Sequence, residues 1–218
     1  MLKYPCLILD HDDTVVQSEA TVNYPCFCET LQNIRSGMTI TVEEYTHGCN
    51  DLGFAEMCRQ KYGFTEQELL DEFLFWKEYS KTRIPAPFPG IKEIIHRQKQ
   101  AGGMLFVVSH SGEETITRDY KTHFNIIPDG IYGWELPTEK RKPSPFPVLD
   151  IMQKYDFTAD QVLVVDDMKP AYDMARAAGV QIAFAAWGRK DFPKLYDQMA
   201  KICDYTFETT TEFADFLF

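Results

Sequence analysis

LILDHDDT, residues 7–14, is a short apolar run that ends in two aspartates, Asp10 and Asp12, two positions apart. A continuous apolar run of this length is typical of a strand buried on both faces of a parallel sheet. In an open parallel sheet, the ligand crevice lies at the carboxyl ends of the strands. The sequence therefore predicts that both carboxylates lie at the ligand-binding edge of a sheet.

Two later apolar runs also lead directly into polar side chains. MLFVV at 104–108 and VLVV at 162–165 are followed by a serine and by an acidic pair, and the segment KPSP lies between them. Four of these side chains are expected to join the first two aspartates at the same edge of the sheet: Ser109, Lys142, Asp166 and Asp167. Carboxylates, one hydroxyl and one ammonium together suit phosphoryl transfer with a divalent metal.

The composition is that of a globular protein with a full core. Of the 218 residues, 44% are hydrophobic and 25% are charged, which is ordinary for such chains. No apolar run approaches about 18 residues, so we expect no membrane span. The start, MLKYP, leads straight into the first strand, so we expect no signal peptide, a cytoplasmic location and reduced cysteines.

The net charge argues against nucleic acid as a partner. Lys and Arg total 22 against 33 for Asp and Glu, a formal charge of −11, and no extended Lys/Arg cluster occurs. Binding to nucleic acid normally needs a basic face. A small anionic substrate is compatible with this charge if a metal offsets the local carboxylates.

Strand and helix patterns alternate over residues 88–218. This alternation favours βαβ units and a doubly wound α/β core, with a parallel sheet covered on both faces. The segment 145–155, for example, is predicted to be a helix whose apolar stripe consists of Val148, Leu149 and Met152.

The preceding region, residues 17–87, has a helical pattern instead. TEQE at 65–68 is typical of a helix start, and a short β-like stretch lies at 38–42. We predict a Rossmann-like core made of residues 1–16 and 88–218, with residues 17–87 as a helical insert. Because the insert leaves the core just after the first acidic loop, we expect it to form a cap over the crevice.

Together these segments closely resemble the haloacid dehalogenase-like hydrolase superfamily, over nearly the whole chain. That family carries a DxDx[T/V] motif, a strand ending in Ser or Thr, a lysine often written KPxP, and an acidic pair before an Ala-rich helix. The matching segments here are DHDDT at 10–14, VVS at 107–109, KPSP at 142–145, and DD at 166–167 with ARAAG at 175–179. Four motifs in the family's order are a specific signal.

The resemblance implies a role for each residue of the constellation. Asp10 is expected to attack phosphorus and form an aspartyl-phosphate, and Asp12 to act as general acid and then general base. The residues expected to bind the phosphoryl group are Ser109, His110 and Lys142. Mg²⁺ is the expected cofactor, since two carboxylates beside a phosphate dianion would repel strongly. Its expected ligands are Asp10, the backbone carbonyl of Asp12, Asp167 and Asp166.

Some positions depart from the family pattern. His11 stands where Phe is common, and we expect its side chain to point away from the chemistry. Asp13 stands where Gly is common and is expected to be a turn residue. In the fourth motif, Asp167 aligns with the usual metal ligand and Asp166 with a common Gly. Asp166 would then supply the acid that many members carry at the position of Ala171.

Asp12 also discriminates between reactions within the family. Dehalogenase-type and phosphonate-cleaving members lack an aspartate there, so its presence favours hydrolysis of a small phosphorylated metabolite or a sugar-phosphate mutase. A mutase must hold a second phosphate, generally with a basic residue of the cap, and GCNDLGF at 48–54 offers none. Hydrolysis is therefore preferred. A mutase and a catalytically silent phosphate-binding relative are the alternatives. A phospho-accepting receiver module is disfavoured, because such a module would be shorter than this chain and would carry its acidic pair on the first strand.

Overall fold

Six parallel strands form one sheet in the spatial order β3-β2-β1-β4-β5-β6 in a computed structural model that describes residues 2–218. The strands are β1 Cys6–Leu9, β2 Met104–Val108, β3 Gly130–Tyr132, β4 Val162–Asp166, β5 Gln181–Ala185 and β6 Tyr205–Phe207. Every neighbouring pair is parallel. The predicted doubly wound α/β sheet is confirmed. Its strand order reverses between β1 and β4, the position where such sheets bind ligands.

Ten α-helices accompany the sheet within the described residues. They are α1 Tyr24–Ile34, α2 Val42–Leu52, α3 Phe54–Tyr62, α4 Glu66–Ser80, α5 Ile91–Gln100, α6 Glu113–Phe124, α7 Phe146–Tyr155, α8 Lys169–Ala178, α9 Pro193–Ile202 and α10 Thr210–Leu217. A short π-helical turn, Glu19–Asn23, leads into α1. None of the helices in residues 2–218 is long and apolar enough to cross a bilayer.

The chain divides into two compact units, one made of Met1–Val16 with Pro87–Phe218 and one made of Gln17–Ala86. In the first unit, alternate residues of the central strands face opposite layers of apolar side chains. Leu7 and Leu9 of β1 pack in one cluster, whereas Ile8 packs in another. A strand that is buried on both faces reads as a continuous apolar run, which is why β1, β2 and β4 stand out in the sequence.

The second unit contains α1 to α4 around an aromatic cluster. Phe27 of α1 lies at its centre, with ring centroids 5.5 Å from those of Tyr45 and Phe54. Arg35, which follows α1, donates two hydrogen bonds to the carboxylate of Glu68 at 2.6 and 3.0 Å. This unit therefore has an interior of its own.

Two local predictions are wrong. Residues 38–42 form no strand: the chain is irregular up to Thr41, whose hydroxyl and backbone N–H form a capping box with Glu44 at the start of α2. In α7, Leu149 is 45% exposed, whereas Val148 and Ile151 are buried. A step of one residue turns a helix by about 100°, so Leu149 leaves the face that its neighbour Val148 occupies.

Candidate active site

Asp10 follows the last residue of β1 at the point where the strand order reverses. Its backbone N–H donates to the carbonyl of Val165 in β4 at 2.9 Å. Asp13, three residues on, adopts a left-handed backbone with φ of 52°. The loop is packed so closely that a Cβ atom at Gly188 would lie 2.0 Å from the carbonyl oxygen of Asp13. Only glycine fits there.

Lys142 links the first and fourth motifs. Its Nζ lies 2.7 Å from Oδ1 of Asp10 and 2.7 Å from Oδ2 of Asp166, and the lysine side chain is 6% exposed. Burial by itself would lower the pKa of Lys142, but the two carboxylates outweigh that effect and raise it. The ammonium is therefore charged at neutral pH and holds two predicted site residues together.

Asp12 lies beside two serine hydroxyls at the end of β2. Its Oδ2 accepts hydrogen bonds from Oγ of Ser109 at 3.3 Å and from Oγ of Ser111 at 2.5 Å. The backbone N–H of Ser111 in turn donates to Oγ of Ser109 at 3.2 Å. Ser111 was missed by sequence reasoning, although its spacing of two from Ser109 is a signal for side chains on one side of an extended segment.

His110 contacts the backbone of the lysine segment. Its Nε2 lies 3.0 Å from the carbonyl oxygen of Lys142. Burial, with the nearby Lys142 ammonium, lowers the pKa of His110 to about 4. The imidazole is therefore neutral at pH 7. Because a carbonyl only accepts, Nε2 carries the proton and donates it to that oxygen.

Three carboxylates form the acidic centre of the site. Oxygens of Asp10, Asp166 and Asp167 lie within 4.8 Å of one another, and all three residues are buried. Burial raises the pKa of Asp166 and of Asp167, while the Lys142 and Arg189 cations act in the opposite direction. Buried carboxylate oxygens clustered in this way are the donor set that a hard divalent cation prefers. These three residues can hold such an ion.

Arg189 is the second cation of the site and was not predicted. Its Nε and an Nη atom both lie 2.5 Å from Oδ2 of Asp167, and a longer contact of 3.8 Å reaches Asp13. The Arg189 side chain is 2% exposed. Oδ1 of Asp167 accepts from the hydroxyl of Thr14 at 3.3 Å. The only sequence signal was the position of Arg189, four residues after the end of β5.

Trp187 packs beneath the first loop. Its Nε1 donates to the carbonyl of Thr14 at 3.0 Å, and its ring centroid lies 5.7 Å from that of Phe213. The side chain is buried and supports the loop backbone.

The match to known proteins includes the residues of the four motifs. The sequence profile of the family described as "Haloacid dehalogenase-like hydrolase" matches residues 7–185, which include all four motifs. A phosphoglycolate phosphatase from Aquifex aeolicus is 28% identical over 137 residues, covering 56% of this chain and 62% of that protein. A phosphoglycolate phosphatase from Nitrosospira multiformis is 24% identical over 131 residues, covering 57% and 56%. The chain thus spans about three fifths of the length of these curated relatives.

Solved structures share the fold over nearly the full length. A haloacid dehalogenase-like protein of unknown function from Agrobacterium tumefaciens superimposes with a TM-score of 0.76 at 16% identity, covering 98% of this chain and 97% of that one. CbbY from Rhodobacter sphaeroides in complex with phosphate gives a TM-score of 0.74 at 18% identity, covering 97% and 96%. At these identities the likeness shows the fold alone.

Proposed function

Since the chain belongs to the haloacid dehalogenase-like hydrolase family, we propose that it is a Mg²⁺-dependent phosphatase that acts through an aspartyl-phosphate. The family match confirms the resemblance predicted from the four motifs. One observation carries the proposal: Lys142 lies between the carboxylates of Asp10 and Asp166, while Asp12 is held separately by two hydroxyls. Two aspartates with different partners are suited to two different roles.

Asp10 is the proposed nucleophile. Its carboxylate oxygen attacks phosphorus, a new P–O bond forms, and the bond from phosphorus to the ester oxygen breaks. Lys142, whose Nζ lies 2.7 Å from Oδ1 of Asp10, orients this carboxylate and compensates negative charge on the phosphoryl oxygens. Ser109 and His110 stay predicted phosphoryl-binding residues. In this structure their contacts to Asp12 and to the Lys142 carbonyl support the loop that would receive the phosphoryl group.

Asp12 is the proposed general acid and base. It gives its proton to the leaving ester oxygen, and it then takes a proton from the water that attacks phosphorus. That attack forms a new P–O bond, breaks the bond from phosphorus to Asp10 and releases the Asp10 carboxylate. Hydrogen bonds from Ser109 and Ser111 to Oδ2 fix the direction of the Asp12 carboxyl group. The products are an alcohol and inorganic phosphate.

The acidic centre fits a divalent cation by its charge as well as by its ligands. Asp10, Asp166 and Asp167 face two cations, Lys142 and Arg189, so the carboxylates of the acidic centre outnumber its cations by one. The proposed ligands of Mg²⁺ are Asp10, the carbonyl of Asp12, Asp166 and Asp167. When bound, the ion would supply positive charge beside the transferring phosphoryl group.

A small phosphorylated metabolite is the proposed substrate. The curated relatives are phosphoglycolate phosphatases, and one structural neighbour holds phosphate. Phosphate esters about as small as 2-phosphoglycolate are therefore the first substrate class to test. The cap role of residues 17–87 stays a prediction. The cytoplasm stays the expected compartment.

The test is a phosphate-release screen against phosphorylated metabolites that include 2-phosphoglycolate, with Mg²⁺ and with EDTA. We expect turnover of at least one ester, loss of turnover in EDTA, and a fall of several orders of magnitude in kcat for Asp10→Asn. Asp160→Asn, an exposed aspartate in the same unit, is the matched control and should keep wild-type kcat.

Near-normal turnover by Asp10→Asn would refute the covalent mechanism. Transfer of phosphate to a second position of a sugar phosphate would identify a mutase. Phosphate binding without turnover of any ester would identify a silent relative.

A further inference from the structure

His11, the residue between the two aspartates of the first motif, is buried and paired. Its side chain is 1% exposed, and its Nε2 lies 3.1 Å from Oδ2 of Asp119, a residue of α6 that is 0% exposed. A carboxylate only accepts, so Nε2 carries a proton and donates it. This contact agrees with the expectation that the His11 side chain points away from the chemistry. The side chain is not only buried there but also hydrogen-bonded to one particular carboxylate.

Asp119 is itself held in place from the other side. Its Oδ1 accepts from Nε of Arg118 at 2.7 Å, so each carboxylate oxygen has its own donor. The imidazole of His11 stacks on Tyr120, with ring centroids 6.0 Å apart and planes at 30°. The pair is therefore fixed by a hydrogen bond at one edge of the ring and by an aromatic contact on its face.

The backbone of residue 11 also closes the loop that carries the catalytic candidates. Its carbonyl oxygen accepts from the N–H groups of Val15 and Val16 at 2.9 and 3.0 Å. The neighbouring side chains, Asp10 and Asp12, reach Lys142 and Ser111 respectively. A contact that fixes residue 11 therefore fixes the residue before it and the residue after it.

We infer that His11 and Asp119 form a positioning pair for the phosphoryl-transfer site, tying the Asp10–Asp12 loop to α6. The inference rests on the proposed phosphatase function. A buried hydrogen bond between charged or polar groups has one favoured geometry, whereas an apolar side chain in the same place can shift along its neighbours. Misplacing a nucleophile by about 1 Å can lower the rate of the chemical step about 10²-fold.

The matched pair of variants is His11→Gln and His11→Met. Both side chains are long and unbranched, but only the glutamine amide can donate to Asp119 from near the position of Nε2. We expect His11→Met to lower kcat about 10- to 100-fold with KM nearly unchanged, and His11→Gln to recover most of that loss. Asp119→Asn keeps an acceptor oxygen for only one of its two donors, His11 and Arg118, so we expect its kcat to lie between those of His11→Gln and His11→Met. His123→Leu, in the last turn of the same helix, is the control and should keep wild-type kcat.

The double variant His11→Met/Asp119→Leu covers the case in which Asp119 alone destabilises the fold. It removes both polar groups, and an apolar replacement of a buried pair is often tolerated. Melting temperatures report folding for every variant, and kcat and KM are measured on the same ester.

A folded double variant with wild-type kcat would overturn the inference and leave the proposed function intact. The same holds if folded His11→Gln and His11→Met have equal kcat. Absence of turnover in the wild type would overturn both the proposed function and the inference that rests on it.

Discussion

Asp166 and Asp167 are adjacent, yet they have different partners. Asp166 accepts from Lys142 at 2.7 Å and from the backbone N–H of Met168 at 2.9 Å. Oδ1 of Asp167 is engaged by the longer, 3.3 Å bond from Thr14. A weaker hydrogen bond makes this oxygen the easier one to transfer to a metal ion, and the register of the fourth motif stays a prediction.

We therefore predict that Asp167→Ala raises the Mg²⁺ concentration needed for half-maximal turnover more than Asp166→Ala does. Calorimetric titration with Mg²⁺ should rank the two variants in the same order. Asp173→Ala, at a partly exposed position of α8 beside Lys169, is the control and should leave Mg²⁺ binding unchanged. If Asp166→Ala weakens Mg²⁺ binding more, the register of the fourth motif is off by one residue.

Arg189 is predicted to stabilise the folded state strongly. Arg189→Met leaves Asp167 buried without its guanidinium partner, and breaking a buried ion pair costs about 3–5 kcal/mol of unfolding free energy. Chemical denaturation measures this change. Arg176→Met is the control, because its pair with Asp204 is much more exposed and pairs of that kind are worth about 1 kcal/mol or less. A loss below about 1 kcal/mol for Arg189→Met would mean that Asp167 is not charged in the folded state.

At the scale of elements, local signals predicted what depends on local interactions. The runs at 104–108 and 162–165 lie in β2 and β4 because strands buried on both faces must be continuously apolar. The start of α4 was also predicted, since Thr65 and Glu68 form a capping box that the spacing TEQE already contains. The β-like stretch at 38–42 was misread because a helix cap at Thr41 takes precedence over β-branched residues.

The site was only partly predictable for a different reason. Asp10, Asp12 and Ser109 follow apolar runs that mark their strands in the sequence, and Lys142 lies in the KPSP segment that matches the family pattern. Other partners depend on how separate elements pack: Ser111 lies 99 residues from Asp12, and Asp119 lies 108 residues from His11. The spacing of Ser111 from Ser109 indicates a shared side of the segment, but a single sequence does not indicate which residue such a side chain will contact. A buried arginine or aspartate reads as a surface residue until its partner is known.

At the scale of the molecule, the helical unit Gln17–Ala86 buries an acidic side chain. Glu72 of α4 is 6% exposed. The titratable groups that face it from the other helices are Cys26 of α1, Tyr45 of α2 and Cys58 of α3. None of these is a cation, so burial raises the pKa of Glu72 to about 8.

This acid makes the stability of the helical unit depend on pH. Between about pH 5 and pH 8 the folded unit keeps the proton on Glu72, whereas the unfolded chain, with a pKa near 4.5, loses it. The folded state therefore binds more protons, and the free energy of unfolding must fall as the pH rises through that window.

Glu72→Gln, which is neutral at every pH, should flatten the dependence of the unfolding free energy on pH and stabilise the unit at pH 8. Hydrogen exchange of α1 and α4 peptides, corrected for intrinsic exchange rates, measures this unit separately from the sheet. Glu78→Gln, at an exposed position of the same helix, is the control and should keep the wild-type slope. An unchanged slope in Glu72→Gln would mean that Glu72 is already ionised in the folded unit and that another group sets its response to pH.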